Sequence, residues 1–252
     1  MAAMQLSNFK ITIEYDGSGF HGWQRQKGHT TVQEEIENAL QTVIRQKIAV
    51  IGSGRTDAGV HALGQVASFK CHTRLSPETI QIALNSLLPD AIVIRDCKPV
   101  APTFHARYDA KRKTYRYRIL NHPLAVAVGR QYAWHLRRPL DLDAMRRATA
   151  TLLGRHDFSA FEGTGSPRSH SVRQVFKAFI DREEKAEFLT FDIEADGFLR
   201  FMVRNIVGTL VLVGCGKISG ADFEEILLSK ERKRAGATAP PHGLFLMCVR
   251  YW

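Results

Sequence analysis

The sequence predicts an α+β fold built from two half-domains. Apolar residues recur at every second position in some segments and with a helical period in others, so strands and amphipathic helices are both expected. The two kinds alternate within each half, without the strict right-handed strand–helix–strand rhythm of a parallel sheet. Apolar residues make up 44% of the 252 residues. That is enough for a core in a chain whose length allows one large domain or two small ones. The halves are residues 1–103 and 104–252, joined without a disordered linker, and their sheets are expected to face a shared cleft.

Each element follows from its own pattern. From Asn8 to Tyr15 the residues Phe9, Ile11, Ile13 and Tyr15 share one face of a half-buried strand. A Gly-rich loop with aromatics follows, Asp16 to Gln24. Thr31 and Glu34 have capping-box spacing, and Val32, Ile36, Ala39, Leu40, Val43 and Ile44 then fall on one helical face. Val66 to Lys70 reads as a strand. Ser76 and Pro77 start a helix, as cap and first residue, which Pro89 ends. Ile92 to Arg95 is a short strand.

In the second half, Lys111 to Leu120 is a strand with Tyr115, Tyr117 and Ile119 on one face and Thr114, Arg116 and Arg118 on the other. Asp141 to Leu153 is a helix. Arg173 to Asp181 and Phe188 to Ala195 form a hairpin across a charged turn. Leu199 to Gly214 is a helix apolar on most sides, Phe223 to Leu228 a shorter one, and Leu244 to Tyr251 the closing strand.

Composition narrows the function. There are 35 Lys and Arg against 25 Asp and Glu, a formal net charge of +10. Such an excess points to a polyanionic partner, nucleic acid or an acidic membrane. The longest apolar stretch near a helix pattern, Ile206 to Gly216, is too short to span a bilayer. Met1 to Phe9 lacks the pattern of a secretory signal. Cys71, Cys97, Cys215 and Cys248 lie far apart with no paired spacing. They read as buried thiols in a reducing compartment, the cytoplasm, and not as a zinc site.

Several enzyme signatures fail. Val60 and His61 stand where a phosphate loop needs Lys and Ser or Thr, and neither H-E-x-x-H nor G-x-S-x-G occurs. Three features remain. The first is Gly52-Ser53-Gly54-Arg55-Thr56-Asp57-Ala58-Gly59-Val60-His61, a tight loop whose small residues allow close backbone approach. Its spacing fits either a turn capped by Asp57 or a site with Asp57 as nucleophile or base and Arg55 as a phosphate or base contact. The second is Phe104 to Arg118, where six Lys and Arg interleave with three Tyr, Phe104 and His105. Cations neutralise phosphates, and aromatic rings stack on unpaired bases. The third is Arg204, in an otherwise apolar helix. It either emerges at the helix edge or is buried with a carboxylate, for which Asp57 is a candidate.

Together these motifs resemble the tRNA pseudouridine synthase A family. The resemblance covers nearly the whole chain: Tyr15-Asp16-Gly17 with Phe20, Gly22, Trp23 and Gln24; Thr31-Val32-Gln33; Gly52 to Ala62; Leu84-Asn85 with Leu88-Pro89; Phe104 to Ile119; Gly154 with His156-Asp157-Phe158; Phe198 to Gly208; and Ala239-Pro240-Pro241 with Gly243-Leu244. Phe201 departs from the family, which commonly has a polar residue there, often His. The resemblance implies a pseudouridine synthase fold with antiparallel-rich sheets and a central RNA-binding cleft. It implies isomerisation of uridine to pseudouridine at tRNA positions 38, 39 and 40, by a homodimer without metal or organic cofactor. By motif position Asp57 is the catalytic aspartate, Arg204 its partner, Tyr115 the ring that stacks on the base, and Arg55 an RNA contact beside the flipped nucleotide. Phe104, His105, Arg107, Tyr108 and the loop with Ser166, Arg168 and Ser169 touch tRNA. A non-catalytic RNA-binding protein, a synthase for another RNA and a base-excising glycosylase are the alternatives. A carboxylate amid phosphate-binding residues weakens simple binding, so Asp57 favours catalysis.

Overall fold

The computed structural model describes residues 6–165, 170–183 and 187–252. The chain forms two compact units: one runs to Lys111 and takes back Leu246–Trp252, the other is Arg112–Phe245.

In the first unit, β1 (Leu6–Tyr15) is flanked by two antiparallel neighbours, β3 (His61–His72) and β4 (Ile92–Val100). The short β2 (Ile51–Gly52) pairs with β3. Phe9, Ile11, Ile13 and Tyr15 are buried as their alternation predicts. Two helices, α1 (Val32–Ile44) and α2 (Pro77–Leu87), add Ile36, Leu40, Ile80 and Leu84 to this core. The Ser76 hydroxyl accepts from the Thr79 amide at 3.2 Å, as a helix cap should. Two strands outrun their sequence pattern. β3 begins at His61 because pairing with β1 continues to Tyr15 opposite Ala62. β4 continues through Pro99 because it is an edge strand, where a missing amide is tolerated.

The capping box at Thr31 does not form: its hydroxyl is buried without a partner. The first turn of α1 is satisfied instead by backbone. The Val32 amide donates to Gly22 O (3.2 Å) and the Gln33 amide to Trp23 O (3.0 Å).

In the second unit, β5 (Arg112–Asn121) pairs in parallel with β6 (Trp134–Leu136) and antiparallel with β9 (Phe188–Ala195). Antiparallel pairing continues from β9 to β8 (Val172–Arg182) and from β8 to β7 (Gly154–Asp157). The helices are α3 (Leu142–Ala150), α4 (Met202–Gly214) and α5 (Gly220–Ser229). Tyr117, Phe158, Phe161, Phe191 and Phe223 are fully buried here. The last strand, β10 (Leu244–Arg250), starts in this unit and ends beside β3 in the first. The elements are α+β with mainly antiparallel pairing, as predicted.

Two details correct the sequence pattern. α4 starts at Met202, not Leu199, because Phe201 adopts left-handed backbone (φ 61°). The four cysteines are not uniformly buried: Cys71 and Cys97 are, Cys215 is exposed and Cys248 is partly so. Burial pushes the Cys71 and Cys97 thiols up, to about 11 and about 12, so both stay protonated near neutral pH.

Candidate functional site

The Asp57 loop is held from both sides. Below it, the Ser53 hydroxyl donates to Gln65 Oε1 (2.7 Å), and Gln65 Nε2 donates to Gly54 O (3.1 Å). The Tyr15 and Thr56 hydroxyls lie 2.7 Å apart, both buried. Burial drives the Tyr15 phenol far above its ordinary range, so it stays protonated beside Thr56. Alongside runs the strap Asp16 to Gln24. The Trp23 amide donates to Thr56 O (3.1 Å), and the Gly59 amide to Phe20 O (3.3 Å). His61, at 1% exposure, has Nδ1 3.0 Å from the Gly17 amide and 3.1 Å from Asp16 Oδ1. Asp57 is left partly exposed between exposed Arg55 and Ala58, with its own carbonyl accepting from the Val60 amide at 3.1 Å. A loop fixed this way presents one carboxylate in a set geometry.

The glycines that permit this lie mainly in the strap, which the sequence shows only as a Gly-rich loop. A Cβ at Gly17 would fall 2.1 Å from Val60 O. A Cβ at Gly22 would fall 2.6 Å from Thr56 O, at φ +89°. At Gly17 and Gly22 the close approach is between two backbones.

The basic-aromatic stretch divides into two parts with different fates. On β5 the arginines are already paired. Arg112 meets Glu194 (3.0 Å), Arg116 meets Asp192 (2.9 Å), and Arg118 meets Glu183 through two bonds of 2.8 Å. Asp192 and Glu194 are buried, so these cations satisfy internal carboxylates. The 104–111 segment, in the first unit, is different. Ala106 is fully buried and anchored: its amide donates to Ser68 Oγ (3.2 Å) and its carbonyl accepts from Tyr251 Oη (2.7 Å). Phe104 packs on Tyr251, ring centroids 5.0 Å apart. His105 stacks on Tyr108 at 4.2 Å, and the Arg107 guanidinium lies 5.7 Å from the Tyr108 ring. Tyr108 is 74% exposed. The turn therefore presents a stacked aromatic platform with a cation beside it, the geometry that unpaired bases and phosphates use.

Asp57 and Arg55 belong to the first unit, Tyr115 and Arg204 to the second. Tyr115 is 8% exposed and meets Phe198 edge-on at 4.9 Å. Tyr117 is a core residue whose hydroxyl donates to Pro240 O (2.8 Å). Arg204 is partly exposed on the first turn of α4, and its Nε donates to Ala239 O (2.8 Å). Phe201 lies between two arginines, its ring 4.7 Å from the Arg200 guanidinium and 5.0 Å from that of Arg204. An aromatic face attracts such cations, and Gly163 leaves the room: a Cβ there would be 2.4 Å from the Phe201 ring.

The Lys230 to Arg234 run directly follows α5. Arg232 donates to Ala235 O, Gly236 O, Asn205 Oδ1 and Thr238 Oγ1, fixing the chain beside α4. Ser166, Arg168 and Ser169 lie outside the described residues. Among the described residues, no three His, Cys, Asp or Glu side chains gather as metal ligands.

The family model described as tRNA pseudouridine synthase matches residues 11–109 and 148–252. That range includes Arg55, Asp57, the 104–108 turn and Arg204, but not Tyr115. The chain is 48% identical over 246 residues to tRNA pseudouridine synthase A of Thermoanaerobacter sp. (strain X514), covering 98% of this chain and 100% of that protein. It is 47% identical over 246 residues to the protein of that name from Acetivibrio thermocellus, with the same coverage. For the one from Methylacidiphilum infernorum the identity is 44% over 249 residues, covering 98% and 97%. A solved archaeal box H/ACA sRNP Nop10-Cbf5 complex aligns at 12% identity and a TM-score of 0.36, covering 81% of this chain and 44% of the other, too remote to carry an argument. With both halves matched by one family model and full-length relatives at 44% to 48% identity, the chain belongs to the tRNA pseudouridine synthase family.

Proposed function

We propose that this enzyme converts uridine to pseudouridine at tRNA positions 38, 39 and 40, with Asp57 as the reacting carboxylate. Its family makes it an isomerase acting on tRNA; the anticodon-arm positions and the residue roles are the proposal. The observation that carries it is a partly exposed carboxylate on a loop clamped from two sides.

The reaction breaks an N-glycosidic bond, turns the uracil and rejoins it through carbon. Nothing is oxidised and no group is donated. A carboxylate serves by attacking the sugar or the base, or by removing a sugar proton, and it must be ionised for each. A stacked base is out of reach, so the nucleotide must leave the stack. Arg55, exposed two residues before Asp57, is the proposed RNA contact beside it. Tyr115, in a T-shaped contact with Phe198, is the proposed stacking ring. Arg204 is the proposed catalytic cation, held by Ala239 and Phe201. Phe104 braces the turn that presents His105, Arg107 and Tyr108 to tRNA. Ser166, Arg168 and Ser169 are proposed contacts from the family motif alone, as is a homodimer. In the test, transcripts with cytidine at 38, 39 and 40 are expected to give no pseudouridine, while restoring a single uridine restores product there. Product from the fully substituted transcript would place the target elsewhere.

The charge division gives a second test. Arg107→Ala is expected to weaken tRNA binding and to reduce the salt slope by about one, the loss of one phosphate contact. Arg116→Gln is expected to leave that slope unaltered, because Arg116 already neutralises Asp192. Affinity measured over a salt series reads both. A lower slope for Arg116→Gln alone would reverse the assignment.

A further inference from the structure

We propose that the sheet face of the first unit carrying Lys10, Lys70 and Lys98 is a second tRNA contact, with phosphates on the lysines and an unpaired base on Trp252. This rests on the reading of the chain as a tRNA-modifying enzyme and goes beyond its catalytic loop and the 104–108 turn.

Strand register puts these lysines together. Lys10 lies opposite Ser68 on β3 and opposite Lys98 on β4, and Asn8 lies opposite Lys70. Cross-strand partners share a face, and so do alternate residues of one strand. All three lysines therefore lie on the face away from Phe9, Ile11 and Phe69. The 104–108 turn is anchored to the same face. Asn8 Nδ2 donates to Phe104 O (2.9 Å) and Ala101 O (3.0 Å), and Ser68 Oγ accepts from the Ala106 amide. The lysines thus continue the surface that presents Arg107 and the His105–Tyr108 stack.

The charge on this face is available, unlike that on β5. Among the described residues, Lys10, Lys70 and Arg107 have no carboxylate within ion-pair distance, and Lys98 meets only Asp96, at 3.2 Å. Lys10 directly opposite Lys98 is a like-charge pair, which destabilises a sheet. A polyanion across the pair relieves that repulsion. Lys10 Nζ also lies 5.2 Å from the ring centroid of Trp252, a residue that is 92% exposed. An exposed indole beside a cation is a sequence-tolerant platform for an unpaired base. The surface is not the reaction centre. Lys10 is five residues along β1 from Tyr15, which reaches the Asp57 loop, and at about 3.4 Å per residue the separation is about 17 Å.

The test measures binding of an unmodified tRNA transcript over a salt series, by wild type, by the triple variant Lys10→Gln, Lys70→Gln, Lys98→Gln, and by Trp252→Ala. The triple variant is expected to lose about two to three from the salt slope, at about 0.7 to 0.9 per phosphate contact, and to bind about ten-fold more weakly or worse. Its Tm is expected to equal or exceed that of wild type, since a like-charge pair is removed. Trp252→Ala is expected to bind about five-fold more weakly with an unaltered slope. A triple variant with wild-type slope and affinity overturns the proposal, and so does weaker binding that merely follows a lowered Tm. Pseudouridine formation by the wild type is assayed alongside. Its absence refutes the functional reading, whereas a normal wild type beside an unaffected triple variant refutes this contact alone.

Discussion

Asp57→Asn is expected to lower pseudouridine formation by about a thousand-fold or more while leaving tRNA affinity within about two-fold of wild type. The two halves of this expectation come from different physics. Asn fills nearly the same space, and the bonds from Tyr15 to Thr56, from Ser53 to Gln65 and from the strap amide of Trp23 use no atom of the Asp57 side chain. The RNA therefore meets the same surface. Asn has no ionised oxygen, so it neither attacks nor removes a proton. Loss of one negative charge amid phosphate-binding groups does not weaken RNA binding and favours it slightly. Single-turnover product formation and equilibrium binding on one transcript read the two effects separately. Ordinary turnover by this variant would remove Asp57 from the reaction.

Gly17→Ala is expected to lower kcat by about a hundred-fold, although residue 17 takes no part in the chemistry. Its new Cβ would lie 2.1 Å from the Val60 carbonyl oxygen, and that neighbour is backbone, unable to rotate aside. Either the strap or the 56–60 segment must shift. A displacement of about 1 Å in a reacting group is enough for a loss of that order. Overpacking of this kind also destabilises by about 1–3 kcal/mol. Gly19→Ala is the control within the same strap: nothing lies within 4 Å of its Cβ, and stability and turnover are expected to hold. Steady-state kinetics and thermal unfolding of the pair test the clamp. Wild-type kcat for Gly17→Ala would mean that loop position does not limit the reaction.

Much of the fold is legible because one period dominates a segment. Phe9, Ile11, Ile13 and Tyr15 alternate, and all four are buried on β1. Ser76 and Pro77 mark the start of α2 because a hydroxyl that accepts from the third residue on, and a ring that needs no amide partner, both favour a first turn. Legibility fails where backbone or distant partners decide. β6 and β7 are three and four residues with little apolar alternation, and pairing with β5 and β8 defines them. Thr31 shows capping-box spacing, yet carbonyls of Gly22 and Trp23, far off in sequence, satisfy the first turn of α1. Phe201 gives no local sign of left-handed backbone. Its conformation goes with a ring set between Arg200 and Arg204 and against Gly163.

The site divides in the same way. A sequence shows which residue types gather, so the Asp57 loop and the Phe104 to Arg118 stretch stand out. It does not show which charges are already neutralised. Arg112, Arg116 and Arg118 resemble phosphate ligands until Glu194 and Asp192 of β9, and Glu183 just after β8, meet them. Arg232, in a run of exposed-looking cations, is a structural donor to four oxygens. Conversely, Lys10, Lys70 and Lys98 are scattered in sequence, and only strand register gathers them on one face.

The most direct test of the central claim is nucleotide-resolution mapping of pseudouridine on an unmodified tRNA transcript after incubation with the wild-type chain and with no added cofactor. The account predicts pseudouridine at uridines among positions 38, 39 and 40 and at no other uridine of the transcript. Pseudouridine confined to another part of the tRNA, or an abasic site in place of the isomer, would contradict it.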